Sequence, residues 1–202
     1  MRFNTFVVVL SAASALATPF KRDVNSIKHK LKAIGAQFNV SSTFVDAFPN
    51  SGSSSLLTRA FHNSFDFVSV FEDGATSDIQ AIDGKLSHDD GVAVVQSFMK
   101  LEDPIAHALK AIVEKKPVFD NDNCEHEKSY NICNASLRTH SRVASFNKDV
   151  VLDNLKKVNT GFPRLANAFD DKVPLDVGSR HAIVDIRDKV ASAFETAIAA
   201  FK

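Results

Sequence analysis

Apolar residues recur every three or four positions over most of the chain, the spacing that gathers them on one side of an α-helix. Val24, Ile27, Leu31, Ile34 and Phe38 form the first series, and Val45 and Phe48 extend it to the turn-favouring Pro49-Asn50-Ser51-Gly52. Gly35 is a weak point inside it, at about 1 kcal/mol relative to Ala. A second helix is predicted from Ser54 or Ser55, both good N-caps. Its stripe is Leu57, Phe61, Ser64, Val68, Phe71, Ala75, Ile79, Ile82 and Leu86. Phe65 and Phe67 flank that stripe and widen the apolar face to roughly 160°, at about 100° per residue. A two-helix seam needs less, so this helix is expected to be central in a bundle or to line something extra.

Ser87-His88-Asp89-Asp90 predicts the next start, with Ser87 as N-cap and Asp90 placed like the acid of a capping box. Val92, Val95, Phe98, Met99 and Leu101 supply the face. Pro104 lacks an N–H and predicts a kink or a new helix. Ile105, Leu109, Ile112 and Val113 carry the pattern to Lys115-Lys116, where Pro117 is expected to stop it. Residues 120–147 are polar and aperiodic and read as a long loop. Helical spacing returns with Val151, Leu152, Leu155, Val158, Phe162, Leu165 and Phe169, across a bend or break predicted at Gly161 and Pro163. Pro174 precedes a last helix with Ile183, Ile186, Val190, Phe194, Ile198 and Phe201 on one face. Outside the first segment no stretch alternates like a β-strand. The expected fold is all-α: an antiparallel bundle of five or six amphipathic helices with a long Cys-containing loop.

The first segment is an address. Met1–Ala17 has a basic start at Arg2, a short apolar run over Phe6–Leu10 and a small-x-small end at Ala15-Leu16-Ala17, the pattern of a secretory signal peptide. As a membrane anchor the run falls far short of the ~20 apolar residues a bilayer requires. Residues 18–22 form a short pro-segment ending in the dibasic Lys21-Arg22, which leaves 23–202 as a single domain. Removal of Arg2, Lys21 and Arg22 leaves 21 basic against 24 acidic groups, a mildly acidic chain. No transmembrane or lipid anchor is expected.

Composition narrows the function. Equal numbers of basic and acidic residues, 24 each, give no general pull on a phosphate backbone, so nucleic acid is not an expected partner. The 17 Phe against one Tyr and no Trp offer apolar area without a polar handle. Nucleophile-elbow, phosphate-loop and dinucleotide glycine patterns are absent, and the seven His lack metal-site spacing. Cys124, Glu125, His126 and Cys133 can be drawn as a metal cluster, but in a secreted chain a Cys124–Cys133 disulfide is the better reading. Neither a cofactor nor a metal is expected. The paired acids Asp89-Asp90, Glu102-Asp103 and Asp170-Asp171 sit at helix ends, where capping and solvation account for them. No catalytic residue is assigned, and enzymatic activity is not expected. Asn39-Val40-Ser41 and Asn134-Ala135-Ser136 are N-glycosylation sequons. Asn134 lies in the polar stretch, whereas Asn39 sits on a helical pattern and reads equally as an unmodified helix residue.

Val95-Gln-Ser-Phe-Met-Lys-Leu-Glu-Asp-Pro-Ile-Ala-His-Ala-Leu-Lys-Ala-Ile-Val-Glu-Lys-Lys-Pro-Val-Phe-Asp120 resembles the hydrophobic surface binding protein family of filamentous fungi, which includes the antigenic cell wall galactomannoproteins. Lys21-Arg22-Asp23 with its Ile-spaced helix, Val151–Leu155 running to Lys172-Val173-Pro174, and Phe194-x-x-Ala-Ile-x-x-Phe201 are similar to it as well. The insert between Phe119 and Val151 departs from the family pattern. The resemblance implies a non-enzymatic secreted or cell-wall protein that binds a hydrophobic surface or a fatty-acid-like lipid through Phe-rich helix faces. A secreted esterase or a host protein is an implied further partner. The competing implication is a structural cell wall mannoprotein or host-facing effector that acts through its insert. The candidate lipid contacts are Phe61, Phe65, Phe71, Phe98, Leu109 and Phe194.

Overall fold

The computed structural model describes residues 24–48, 55–120, 148–174 and 177–202. The segment expected to be a signal peptide, the dibasic Lys21-Arg22, Cys124, Cys133 and Asn134 lie outside the described residues. The helices are α1 (Val24–Ala47), α2 (Ser55–Gln80), α3 (His88–Met99), α4 (Glu102–Glu114), the short α5 (Lys116–Asp120), α6 (Lys148–Lys172) and α7 (Val177–Ala200). There is no strand among the described residues, and the fold is the expected all-α bundle.

Pairs of touching residues fix the helix directions. Lys30 on α1 meets Asp78 on α2 while Phe38 meets Phe65, so these neighbours run antiparallel. Asp66 meets Lys157 and Asp73 meets Arg164 in the same order along both chains, so α2 and α6 run parallel. Gly91 lies against Val173, just past α6, and Phe98 against Phe162, which makes α3 antiparallel to α6. The chain therefore reverses between α1 and α2, before α3 and before α6, whereas α4 continues in the direction of α3: Pro104 near its start lies by Gly35 and Lys115 just past its end reaches Phe48 O, so it runs parallel to α1. α1 packs on α2 and α4, α2 also on α6, and α7 closes the bundle against α4 and α6.

The inner faces follow the apolar spacing. Ile27, Leu31, Ile34, Phe38, Val45 and Phe48 are buried along α1 and its end, and Ile183, Ile186, Val190, Phe194, Ile198 and Phe201 along α7 and its end. Each fully buried large apolar side chain contributes about 1.5–3 kcal/mol relative to an exposed one. Ser87 caps α3 as expected: its Oγ accepts from Asp90 N at 3.2 Å and donates to Asp90 Oδ2 at 2.7 Å.

Several expectations are corrected. α2 stops at Gln80 rather than running through Leu86, and Gly84, at φ 77°, turns the chain where a side chain would be strained. Ile82 and Leu86 pack against the core from outside the helix, held there by Leu86 N–H donating to Lys172 O and Lys172 Nζ donating to Ile82 O, both at 3.0 Å. Phe67 is 53% exposed, because it sits roughly 200° around the helix from buried Phe65. Met99 also faces outward, while Val94 takes an inner position on α3. Pro104, by contrast, marks a new helix as expected: it falls in the first turn of α4, where a missing N–H costs little. Pro117 does not end helical structure; it sits near the start of α5. Gly161 and Pro163 do not interrupt α6, whose neighbours on three sides hold it helical through the residue that would otherwise break it.

Candidate functional site

The centre of the bundle is a cluster of phenylalanines on three helices. Phe38 of α1 meets Phe65 edge-on at 5.9 Å between ring centres and Phe194 of α7 at 6.3 Å, and Phe61 lies 4.8 Å from Phe65. All four side chains are fully buried. Helical spacing explains the convergence, since Phe61 and Phe65 lie one turn apart on the same face of α2. Three of the candidate contacts, Phe61, Phe65 and Phe194, are thereby brought together. Phe98 belongs to a second ring cluster with Phe162 at 5.2 Å and Phe169 at 4.8 Å. Leu109 is buried in the inner face of α4, and Phe71 is half-buried at the margin of the core.

Two hydroxyls are buried on the same α1–α2 seam as the first cluster. Ser41 and Ser64 are buried, and their Oγ atoms lie 2.6 Å apart across the α1–α2 seam. Each also donates to a carbonyl of its own helix, Ser41 to Gln37 O and Ser64 to Phe61 O, both at 2.8 Å. A hydroxyl has one proton, so the two back-bonds and the mutual bond cannot all be made at once. The pair thus holds acceptor capacity and a rotatable proton within an apolar wall. Ser64 stood on the apolar stripe of the sequence, but Ser41 is seen only through its partner.

A different polar group lies between α2 and α6. Glu72 is 1% exposed, and neither carboxyl oxygen has a hydrogen-bond partner. Burial pushes its carboxyl well above the usual range, the Asp73 charge adds to this, and Arg164 opposes it. Farther along the seam, Asn154 Oδ1 accepts from His62 Nδ1 at 3.0 Å, while its buried Nδ2 has no partner. By contrast the other buried acid, Asp78, is satisfied by Ser26 Oγ at 2.7 Å and by Lys30.

Among the described residues, a surface groove of about 670 Å3 lies between α1 and the α3–α4 corner. Lys28, Lys32 and Asn39 on α1 and Lys100 at the end of α3 stand along it. Asn39, the sequon residue, is exposed there on a regular helix. No helix among the described residues is long and apolar enough to cross a membrane, and no group of three or more His, Cys, Asp or Glu among them is placed to hold a metal.

This helical arrangement is shared with solved structures. Afmp4p in complex with palmitic acid has this fold. It matches with a TM-score of 0.70 at 23% identity, over 89% of this chain and 100% of that one. Ligand binding domain 1 of the Penicillium marneffei MP1 protein, complexed with arachidonic acids, matches with a TM-score of 0.66 at 18% identity, over 89% and 99%. No family model and no curated protein matches the sequence. At these identities the likeness establishes the common fold.

Proposed function

We propose that this chain is a secreted, non-enzymatic protein of the hydrophobic surface binding and cell wall galactomannoprotein type, and that it takes a fatty-acid-like ligand into the seam between α1 and α2. The observation that carries the reading is the buried hydroxyl pair Ser41–Ser64 on the same α1–α2 seam that Phe38, Phe61 and Phe65 line with their rings. A carboxylate entering the seam finds two O–H donors in an environment where hydrogen bonds are strong, and its chain lies on the rings. The two solved structures of the same fold hold palmitic acid and arachidonic acids, which supports the same ligand class here. The signal-like first segment supports secretion.

The rings fill the seam, so uptake requires α1 and α2 to part and the phenylalanines to turn. Burial of an acyl chain contributes roughly 25 cal/mol per Å2 of apolar area, enough over a long chain to offset that opening. Uptake is accordingly expected to be slow beside diffusion and to stabilise the fold. The test is a titration of delipidated protein with a fluorescent long-chain fatty acid, together with a thermal melt. Saturable binding at one acyl chain per protein with a raised Tm supports the reading; no binding and an unchanged Tm reject it.

A further inference from the structure

We propose that the surface groove between α1 and the α3–α4 corner is a separate site for the anionic head of a single-chain amphiphile. Lys28 and Lys32 rise from successive turns of α1, and Lys100 faces them from the end of α3. None of the three has an ion-pair partner among the described residues, and no Asp or Glu lines the groove. The neighbouring acid Glu102 is engaged elsewhere, bound by Lys189 of α7 at 3.1 Å. Three uncompensated cations on a chain with no net charge are a local feature rather than a general one.

The floor between these cations is apolar. Leu101 and Pro104 form it, close against α1: a methyl at Gly35 would sit in ordinary contact with Leu101 Cδ2 at 3.5 Å and Pro104 Cγ at 3.8 Å. A small inorganic anion would leave that floor wet. A nucleic acid would find no aromatic ring in the lining on which to stack a base. A carboxylate or phosphate head with its first methylenes satisfies both parts, and the volume of about 670 Å3 falls in the range of small-molecule sites. The site is distinct from the Ser41–Ser64 seam and holds whether or not that seam takes a ligand.

The test uses delipidated protein titrated with dodecanoate, dodecyl phosphate and dodecanol below their aggregation concentrations, followed by backbone amide NMR. Dodecanoate and dodecyl phosphate are expected to shift Lys32, Ser97 and Lys100, and dodecanol to leave them in place. K28Q/K32Q/K100Q is expected to weaken the response about tenfold, the summed effect of three partly exposed ion pairs. A fourth titration in high salt should weaken it similarly. An unchanged response in the triple variant, an equal response to dodecanol, or no shift at these residues overturns the proposal. Failure of the interior reading would look different: loss of the single stabilising uptake event with the groove shifts intact.

Discussion

Gly161 on α6 faces the carboxyl of Glu72 on α2 so closely that a Cβ built on the glycine would overlap Glu72 Oε2 and stand 3.0 Å from its Cδ. Glycine inside a helix ordinarily costs about 1 kcal/mol relative to alanine. Here that cost is offset by the room it leaves for a side chain that is buried and cannot swing into solvent. Gly161→Ala is therefore expected to destabilise the protein by about 1–3 kcal/mol, as overpacking does. In a Glu72→Ala background the same change should turn stabilising by up to about 1 kcal/mol, through helix propensity alone. Urea denaturation of the four members of the cycle checks this. Equal effects of Gly161→Ala in both backgrounds would show that the two residues do not compete for space.

The carboxyl itself sets a pH dependence. Burial makes the folded state hold the Glu72 proton more tightly than the unfolded chain does, where an ordinary Glu titrates near 4.3. The folded state then binds more protons, so stability from this group is highest below the unfolded value and falls as pH rises toward the raised folded one. Glu72→Gln removes the slope. The stability difference between this variant and the wild type is expected to widen in the variant's favour from pH 4 to pH 7. Parallel curves over that range would contradict it. Glu72→Met, which replaces unpaired oxygens with apolar volume, should add about 1–3 kcal/mol at pH 7.

Most of the bundle was legible because long helices with one inner face repeat a simple spacing. All six residues of the α7 series are inside, as are the six inner residues of α1 from Ile27 to Phe48. What the spacing could not give was the phase of a wide stripe. Phe65 and Phe67 both bordered the α2 pattern, but they point nearly opposite ways, and the true inner line of Phe61, Phe65, Val68, Glu72, Ala75 and Ile79 passes through a charged residue. A charged residue gives no hydrophobic signal, so Glu72 has no place in the apolar stripe. The glycine opposite it looked like a break, because its reason for being there lies on another helix. The Ser41–Ser64 contact was hidden for the same cause: residues 23 positions apart meet only once α1 and α2 fold back on each other.

Inner and outer phenylalanines should respond differently to truncation. Phe38→Ala removes the ring that meets both Phe65 and Phe194 and is expected to cost about 3–5 kcal/mol. Phe67→Ser, on the outer face at 53% exposure, should stay within about 0.5 kcal/mol of wild type. Thermal melts monitored by circular dichroism distinguish the two. A large loss with Phe67→Ser would mean that something covers that face.

The serine pair offers a way to separate fold from function. Each hydroxyl has a carbonyl of its own helix to fall back on, Gln37 O for Ser41 and Phe61 O for Ser64, so neither is orphaned when its partner is removed. Replacing both by alanine removes two buried donors together with their mutual bond and leaves only apolar surface, a change expected to alter stability by less than about 1 kcal/mol. A carboxylate head that depends on those donors loses charge-assisted hydrogen bonds worth about 1.5–3 kcal/mol each. Ser41→Ala/Ser64→Ala is thus expected to weaken fatty-acid binding about a hundredfold or more, with binding of an uncharged acyl chain nearly unchanged. Calorimetric titration with a fatty acid and with its methyl ester measures both arms. If the acid and the ester weaken together, the serines shape the seam without holding the head; if neither weakens, the acyl chain binds elsewhere in the bundle.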